Sequence, residues 1–116
     1  MESILTSVKK MLGITEDYKH FDQDIIMHIN SVFMILNQLG VGPAEGFSIS
    51  SDVETWDEFT NDDLTIESVK SYVYLKVSLL FDPPTNSNIM DAKNRLASEL
   101  EWRLNVAANS TNQKKE

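Results

Sequence analysis

One group of side chains in this sequence could bind a metal ion. His20, Asp24 and His28 follow one another at intervals of four, so a single helix would place them on one face. His20, however, lies before the predicted start of a helix at Gln23, and this breaks the alignment. We therefore predict no metal site and no cofactor.

Paired acids form a second group with possible chemistry. Asp57 with Glu58, and Asp62 with Asp63, could exchange protons with a substrate, but catalytic carboxylates need a pocket that shifts their pKa values. The surrounding sequence supplies no such pocket, and helix capping explains the second pair. The chain also lacks cysteine, a nucleophile-elbow serine and a glycine-rich phosphate loop. These observations predict that the protein is not an enzyme.

Charge is distributed unevenly along the chain. The net charge is -8, and residues 45–67 contain acids but no lysine or arginine. Such a segment repels phosphate and argues against sequence-specific DNA binding. The simplest interpretation is a solvated loop that keeps the protein soluble. The acids are Glu45, Asp52, Glu54, Asp57, Glu58, Asp62, Asp63 and Glu67.

The most apolar stretch, residues 64–84, predicts the helix around which the others are arranged. Flanking apolar residues widen its stripe, so this helix should be covered on several sides. An aspartate at residue 62 or 63 can cap its start, and the Asp82-Pro83-Pro84 sequence ends it. Its apolar side chains recur at steps of three and four: Ile66, Val69, Val73, Val77 and Leu80.

Four further helices are predicted around this one. Residues 4–12 form a short helix, residues 23–39 a long one capped by Asp22, and residues 53–60 another short one. In the second helix Met27, Met34 and Ile35 depart from the main apolar face, which predicts cover on more than one side. A final helix ends near residue 107. The side chains predicted to face inward on the first and final helices are Ile4, Val8, Met11 and Leu12, and Ile89, Leu96, Leu100 and Leu104.

The predicted fold class is therefore all-α, a small helical bundle of three main helices plus one or two short helices. Residues 1–107 form a single domain, and residues 108–116 form a flexible polar tail. No apolar run approaches the length of a membrane span, and the N-terminal residues lack the pattern of a signal peptide, so we expect synthesis in the cytoplasm and no membrane partner.

Three aromatic residues have little apolar company nearby in the sequence. Trp56 and Phe59 lie in the acidic segment, and Trp102 falls off the apolar seam of the final helix. Either these residues pack in a satellite of the core, or they are buried against another protein chain, where tryptophan is a frequent energetic anchor.

The order of several short motifs resembles that of phage head–tail connector proteins, the adaptor or head-completion proteins of long-tailed phages. The resemblance covers residue 4 to about residue 107 and is closest to the versions found in phages of Gram-positive bacteria. The motifs are Val8-Lys9-Lys10-Met11-Leu12-Gly13-Ile14, Phe21-Asp22 before Ile25-Ile26 and Ile29-Asn30, Trp56-Asp57-Glu58-Phe59, residues 68–84 and Glu99-Leu100-Glu101-Trp102-Arg103-Leu104-Asn105.

This resemblance implies a virion subunit at the head–tail junction, without catalytic residues. It implies a dodecameric ring on the portal that extends the DNA channel and receives a stopper or tail-side protein. The acidic residues would then lie on the channel wall or outer rim without gripping DNA. The alternative is a small cytoplasmic helical regulator that binds one partner protein through an acidic face. Candidate interface residues are Trp56, Phe59, Trp102, Arg103, Asn105, Lys114 and Lys115.

Overall fold

Helices account for all the regular structure in the part of the chain described by this computed structural model. It describes the backbone of residues 2–114 and the side chains of residues 2–109. Ser3 and Thr55 form an isolated antiparallel bridge. The predicted all-α bundle, with three main and two short helices, is confirmed. The helices are α1 (Ile4–Met11), α2 (Asp22–Gln38), α3 (Trp56–Phe59), α4 (Asp63–Phe81) and α5 (Ser87–Lys114).

Helix α4 lies at the centre of the bundle, as its broad apolar stripe predicts. It packs against both α2 and α5, and it also contacts α1. The Asp62 carboxylate caps its start by accepting a hydrogen bond from the backbone N–H of Leu64 at 3.2 Å. The Tyr72 hydroxyl, which is buried, donates a hydrogen bond to Glu101 at 2.6 Å and so ties α4 to α5.

The inner face of α1 differs from the predicted one, because it includes Leu5 and Lys9 and excludes Met11. Ile4, Leu5 and Val8 are buried, but Met11 is exposed and Lys9 is only 2% exposed. Lys9 lies one turn after Leu5 and therefore on the same side of the helix. The prediction that Met11 faces inward is wrong, and a lysine occupies the inner face instead.

The buried Lys9 ammonium joins α1 to the turn before α2. Its Nζ donates hydrogen bonds to the backbone carbonyls of Glu16 at 3.0 Å and Tyr18 at 2.7 Å, and it lies 2.8 Å from Asp22 Oδ1. Three oxygen partners compensate for the loss of water around this charge. Asp22 therefore serves as the ion-pair partner of Lys9 and not as the predicted cap of α2, whose N-cap residue is Phe21.

Helix α2 buries one face and leaves the other uncovered. Ile25, Ile29 and Val32 are fully buried against the core. Met27 and Met34, which the sequence predicts to be covered on a second side, are 60% and 66% exposed. Ile35, the third residue of that prediction, is half-buried and packs against the core, so the prediction is wrong for Met27 and Met34 alone.

Helix α5 is rotated and lengthened relative to the prediction. Asn86 caps it by accepting hydrogen bonds from the backbone of the second and third residues that follow it. Ala97 and Leu104 are buried, whereas Ile89 and Leu96, placed on the inner seam by the sequence pattern, are about half exposed. The helix continues to Lys114, so the predicted end near residue 107 is also wrong.

Candidate functional site

Trp56 is part of the core and is not available to another chain. Its side chain is 0% exposed, and its indole Nε1 donates a hydrogen bond to Ser7 Oγ at 2.9 Å. The Ser7 hydroxyl in turn donates to the backbone carbonyl of Ile4 at 2.9 Å. Of the two interpretations drawn from the sequence, core packing is the correct one for Trp56, and its assignment as an interface candidate is wrong.

Phe59 is also buried, because it belongs to an aromatic cluster around Phe33. The Phe59 and Phe33 rings stack with centroids 5.1 Å apart, and Phe47 meets both rings edge-on at 5.5 and 5.2 Å. The centroid of the Trp56 ring lies 6.4 Å from that of Phe33. The assignment of Phe59 as an interface candidate is therefore wrong as well. These contacts join residues far apart in the sequence, which explains why local composition did not reveal them.

Backbone groups of the acidic segment bond to α1 and α2 at two points, in addition to the bond between Trp56 and Ser7. The Asn30 side chain accepts a hydrogen bond from the backbone N–H of Ile49 at 2.8 Å and donates one to its carbonyl at 2.9 Å. The backbone N–H of Ile4 donates to the carbonyl of Glu54 at 3.0 Å. Because both contacts involve backbone groups, the path of the segment over α1 and α2 is fixed.

Glu54 organises the loop between these two anchors. Its carboxylate accepts hydrogen bonds from the backbone and hydroxyl groups of Ser50 at 2.8 and 3.1 Å and from those of Ser51 at 3.3 and 3.5 Å. Burial alone would raise the pKa of Glu54, but these hydrogen bonds outweigh it and hold the pKa below its ordinary value. Glu54 therefore stabilises the loop, and its carboxylate is already engaged in these four hydrogen bonds.

The remaining acids of the segment form an exposed negative surface. A hydrogen bond from the Thr55 hydroxyl lowers the pKa of Asp57, and one from the Thr65 hydroxyl lowers that of Asp62. Asp52 lies 3.9 Å from Lys19, and Glu67 lies 3.8 Å from Lys70. Five acids have side chains that are exposed and form no ion pair within the described residues: Glu45, Asp57, Glu58, Asp62 and Asp63.

The candidate interface residues on α5 lie in different environments. Trp102 is 66% exposed, and Arg103 is exposed and pairs with Glu99 at 2.7 Å, so both remain available to a partner. Asn105 donates a hydrogen bond to the Leu39 carbonyl at 3.0 Å, which satisfies the C-terminal end of α2. The backbone of Lys114 belongs to α5, and Lys115 lies outside the described residues.

A groove brings together residues from three parts of the chain. It has a volume of about 750 Å³ and lies between the loop after α2, the first turns of α4 and the C-terminal half of α5. Asp62, Phe59 and Arg103, which the sequence nominates separately, all line it. Leu64 also lines the groove and is highly exposed, although its apolar character and position give no sign of this in the sequence.

Each of the two histidines lies near a different aromatic ring. His20 packs edge-on against Phe21 at 4.9 Å in the turn before α2, and His28 lies 6.5 Å from Phe81. Within the described residues, no group of three histidine, aspartate or glutamate side chains is placed to hold a metal ion.

Comparison with known families supplies the identity. The family model described as "Phage connector protein" matches residues 4–111, which is nearly the whole chain. The chain belongs to the phage connector family. No curated protein and no solved structure matches it.

Membership of this family gives the connector its general role. The family match supports a role as a component of the bacteriophage particle that connects head and tail. A structural role of this kind favours a function without catalysis. No helix in the described range is long and apolar enough to cross a membrane.

Proposed function

We propose that the connector assembles as a ring, dodecameric in the virion, beneath the portal protein, where it extends the DNA channel and joins head to tail. The family match over residues 4–111 carries this proposal. In this arrangement the connector binds the portal on one side and a stopper or tail-side completion protein on the other. Subunits are made in the host cytoplasm and come to lie at the head–tail junction.

The exposed apolar residues of the subunit support assembly with other chains. Met27, Met34, Ile89, Leu96 and Trp102 are each about half exposed or more, although the subunit has a well-formed core of its own. Such residues lose contact with water when a neighbouring chain covers them, and this burial favours association.

The acidic surface suits a channel wall or rim past which DNA slides. Hydrogen bonds to Asp57 and Asp62 favour their charged forms, so both carboxylates remain negative at neutral pH. At physiological salt the electrostatic screening length is about 8 Å, so these acids repel phosphate only at close range. Glu45, Asp52, Glu58 and Asp63 extend this surface, while Glu54 supports its loop.

Two measurements test the proposal. The purified connector is mixed with portal rings and followed by sedimentation and by two-dimensional class averages of negatively stained particles. We expect a second ring of density with the channel open through both. Separately, the connector should not bind duplex DNA tightly at about 0.15 M salt. Tight DNA binding would contradict the role of the acidic surface, and failure to bind any portal ring would contradict the function.

The portal measurement also separates this function from that of a cytoplasmic regulator. A regulator would bind one partner protein through its acidic face and would sediment apart from the portal. Arg103, Lys114 and Lys115 belong to the proposal as contacts to acids on the lower rim of the portal, and Trp102 as a further interface residue.

A further inference from the structure

The uncovered side of α2 forms an apolar stripe with an acidic border. Met27 and Met34 are seven positions apart, so they lie on the same side of the helix, two turns from each other. Asp24 lies one turn before Met27. At the other end, Glu45 lines a shallow pocket of about 410 Å³ together with Met34. The sequence from residue 20 to residue 69 contains no lysine or arginine, so no base of this region neutralises that border.

Helix α5 carries a second stripe of the same length but of opposite charge. Ile89 and Leu96 are also seven positions apart and are about half exposed. Lys93 lies between them on the same side of the helix, whereas the exposed Arg95, two positions further on, lies on a different side. Neither base forms an ion pair with an acid in the described part of the chain.

The two stripes match in spacing and differ in charge. Each spans about 10.5 Å along its helix, the rise of seven residues. Pairing α2 with α2 would bring acids together, and pairing α5 with α5 would bring bases together, whereas α2 against α5 places opposite charges around an apolar centre. Within one subunit this pairing is prevented, because α4 packs against both helices and their stripes are exposed.

We propose that the α2 stripe of one subunit, centred on Met27 and Met34, packs against the α5 stripe of the next, centred on Ile89 and Leu96. Such a contact is head-to-tail, because each copy contributes a different surface. Repetition of a head-to-tail contact produces a closed ring when the rotation between copies closes. The inference rests on the proposed ring and names the surfaces that would build it.

Disulfide cross-linking tests this contact directly, because the chain has no cysteine of its own. The full-length variant with Met34→Cys and Leu96→Cys is oxidised in concentrated solution and when bound to portal rings. A second variant, Met34→Cys with Ile89→Cys, allows for the opposite direction of the two helices. A head-to-tail contact predicts that one of them forms a ladder of linked chains longer than dimers on a non-reducing gel.

Controls separate this contact from random collision. Val53→Cys with Leu96→Cys places one thiol on a 73% exposed residue outside both stripes and should give no ladder. Each of the single-cysteine variants should remain monomeric on the gel. All substituted positions are exposed, and circular dichroism checks that each variant is folded. Efficient dimers from one single-cysteine variant would show a symmetric contact and overturn the proposal, as would the absence of a ladder from both double variants.

The outcome for this contact is independent of the outcome for the proposed function. If the wild-type connector forms a ring on the portal but neither pair links, the inference fails and the function stands. If a ladder forms in solution but the connector does not bind the portal, the contact stands and the function fails.

Discussion

Trp56 and Ser7 are 49 positions apart in the sequence, and the indole Nε1 of the first donates a hydrogen bond to the hydroxyl of the second at 2.9 Å in the core. This bond joins α3, at the centre of the acidic segment, to α1. The exposed acids are consequently carried by a segment that is fixed to the folded core, and they keep a defined position on the subunit.

Trp56→Ala should strongly destabilise the subunit. Removal of a fully buried indole leaves a cavity and removes the hydrogen bond that the Ser7 hydroxyl accepts, and we expect a loss of about 3–5 kcal/mol in the free energy of unfolding. Urea denaturation followed by circular dichroism measures this loss. Trp102→Ala is the matched control, because Trp102 is 66% exposed, and it should change the stability by less than about 0.5 kcal/mol. Equal stabilities for the two variants would contradict the assignment of Trp56 to the core.

Lys9→Met should also destabilise the subunit, although it replaces a charge by an apolar side chain of similar length. The substitution leaves the Asp22 carboxylate and the Glu16 and Tyr18 carbonyls without their shared partner, and we expect a loss of about 3–5 kcal/mol. The melting temperature and the urea midpoint report this loss.

Lys10→Met is the control for the Lys9 experiment. The Lys10 side chain is exposed and pairs with Glu2 at the surface at 2.7 Å, so its replacement should leave the stability almost unchanged. If Lys9→Met were as stable as Lys10→Met, the buried ion pair would contribute nothing to the fold.

Glu54 should make the stability of the subunit depend on pH in the acidic range. Its pKa in the folded state lies below the ordinary value of 4.5, so the unfolded state binds the proton more readily. The stabilisation from Glu54 is therefore complete above pH 4.5 and is lost as the pH falls through the lowered pKa. Glu54→Gln should be less stable than the wild type at neutral pH and should lose less stability on acidification.

The free energy of unfolding at about pH 7 and about pH 3 tests this dependence. Glu45→Gln is the control, because Glu45 is exposed and forms no ion pair within the described residues, and it should leave the stability at neutral pH close to that of the wild type. If Glu54→Gln and the wild type lose the same stability on acidification, the hydrogen bonds from Ser50 and Ser51 do not stabilise the charged form.

Deletion of residues 110–116 should separate portal binding from folding. Contacts described between α5 and the bundle remain in the shortened chain, since Leu104 is buried, Asn105 bonds to Leu39 and Ala108 packs against the core. We expect an unchanged melting temperature and several-fold weaker portal binding, because the truncated chain lacks Lys114 and Lys115. Full-length Lys114→Gln with Lys115→Gln should weaken binding to the same extent. Undiminished binding by the truncated chain would exclude a role for these two lysines.

The helices themselves were predictable because their patterns are local. The stripe of α4 is wide enough to indicate a central helix, and Asp62 and the two prolines define its ends. The rotation of α5 was not predictable from the same pattern. Its buried face includes Ala97, a small residue that contributes little to a hydrophobic stripe, whereas the larger Ile89 and Leu96 lie at the edge of that face.

The candidate site was less predictable than the fold, because burial in the acidic segment depends on contacts distant in sequence. Trp56 meets α1, and Phe59 meets α2, at separations that no local pattern reports. The burial of Lys9 was equally hard to predict, since two of its partners are backbone carbonyls whose positions depend on the following turn. Exposed apolar residues such as Met34 were misread for the opposite reason, because apolar periodicity does not distinguish the core of one chain from a contact between chains.

The pairing of Asn30 with Ile49 has a consequence for how this protein avoids aggregation. The sequence Phe47-Ser48-Ile49-Ser50 alternates apolar and polar residues, as an edge strand does, and an unpaired edge is a template for strands of other molecules. Asn30 occupies both backbone groups of Ile49 with one side-chain amide. The backbone N–H and carbonyl of Ile49 are therefore already paired and not offered to a strand of another molecule, and an asparagine on a helix takes the place that a neighbouring strand would have in a sheet.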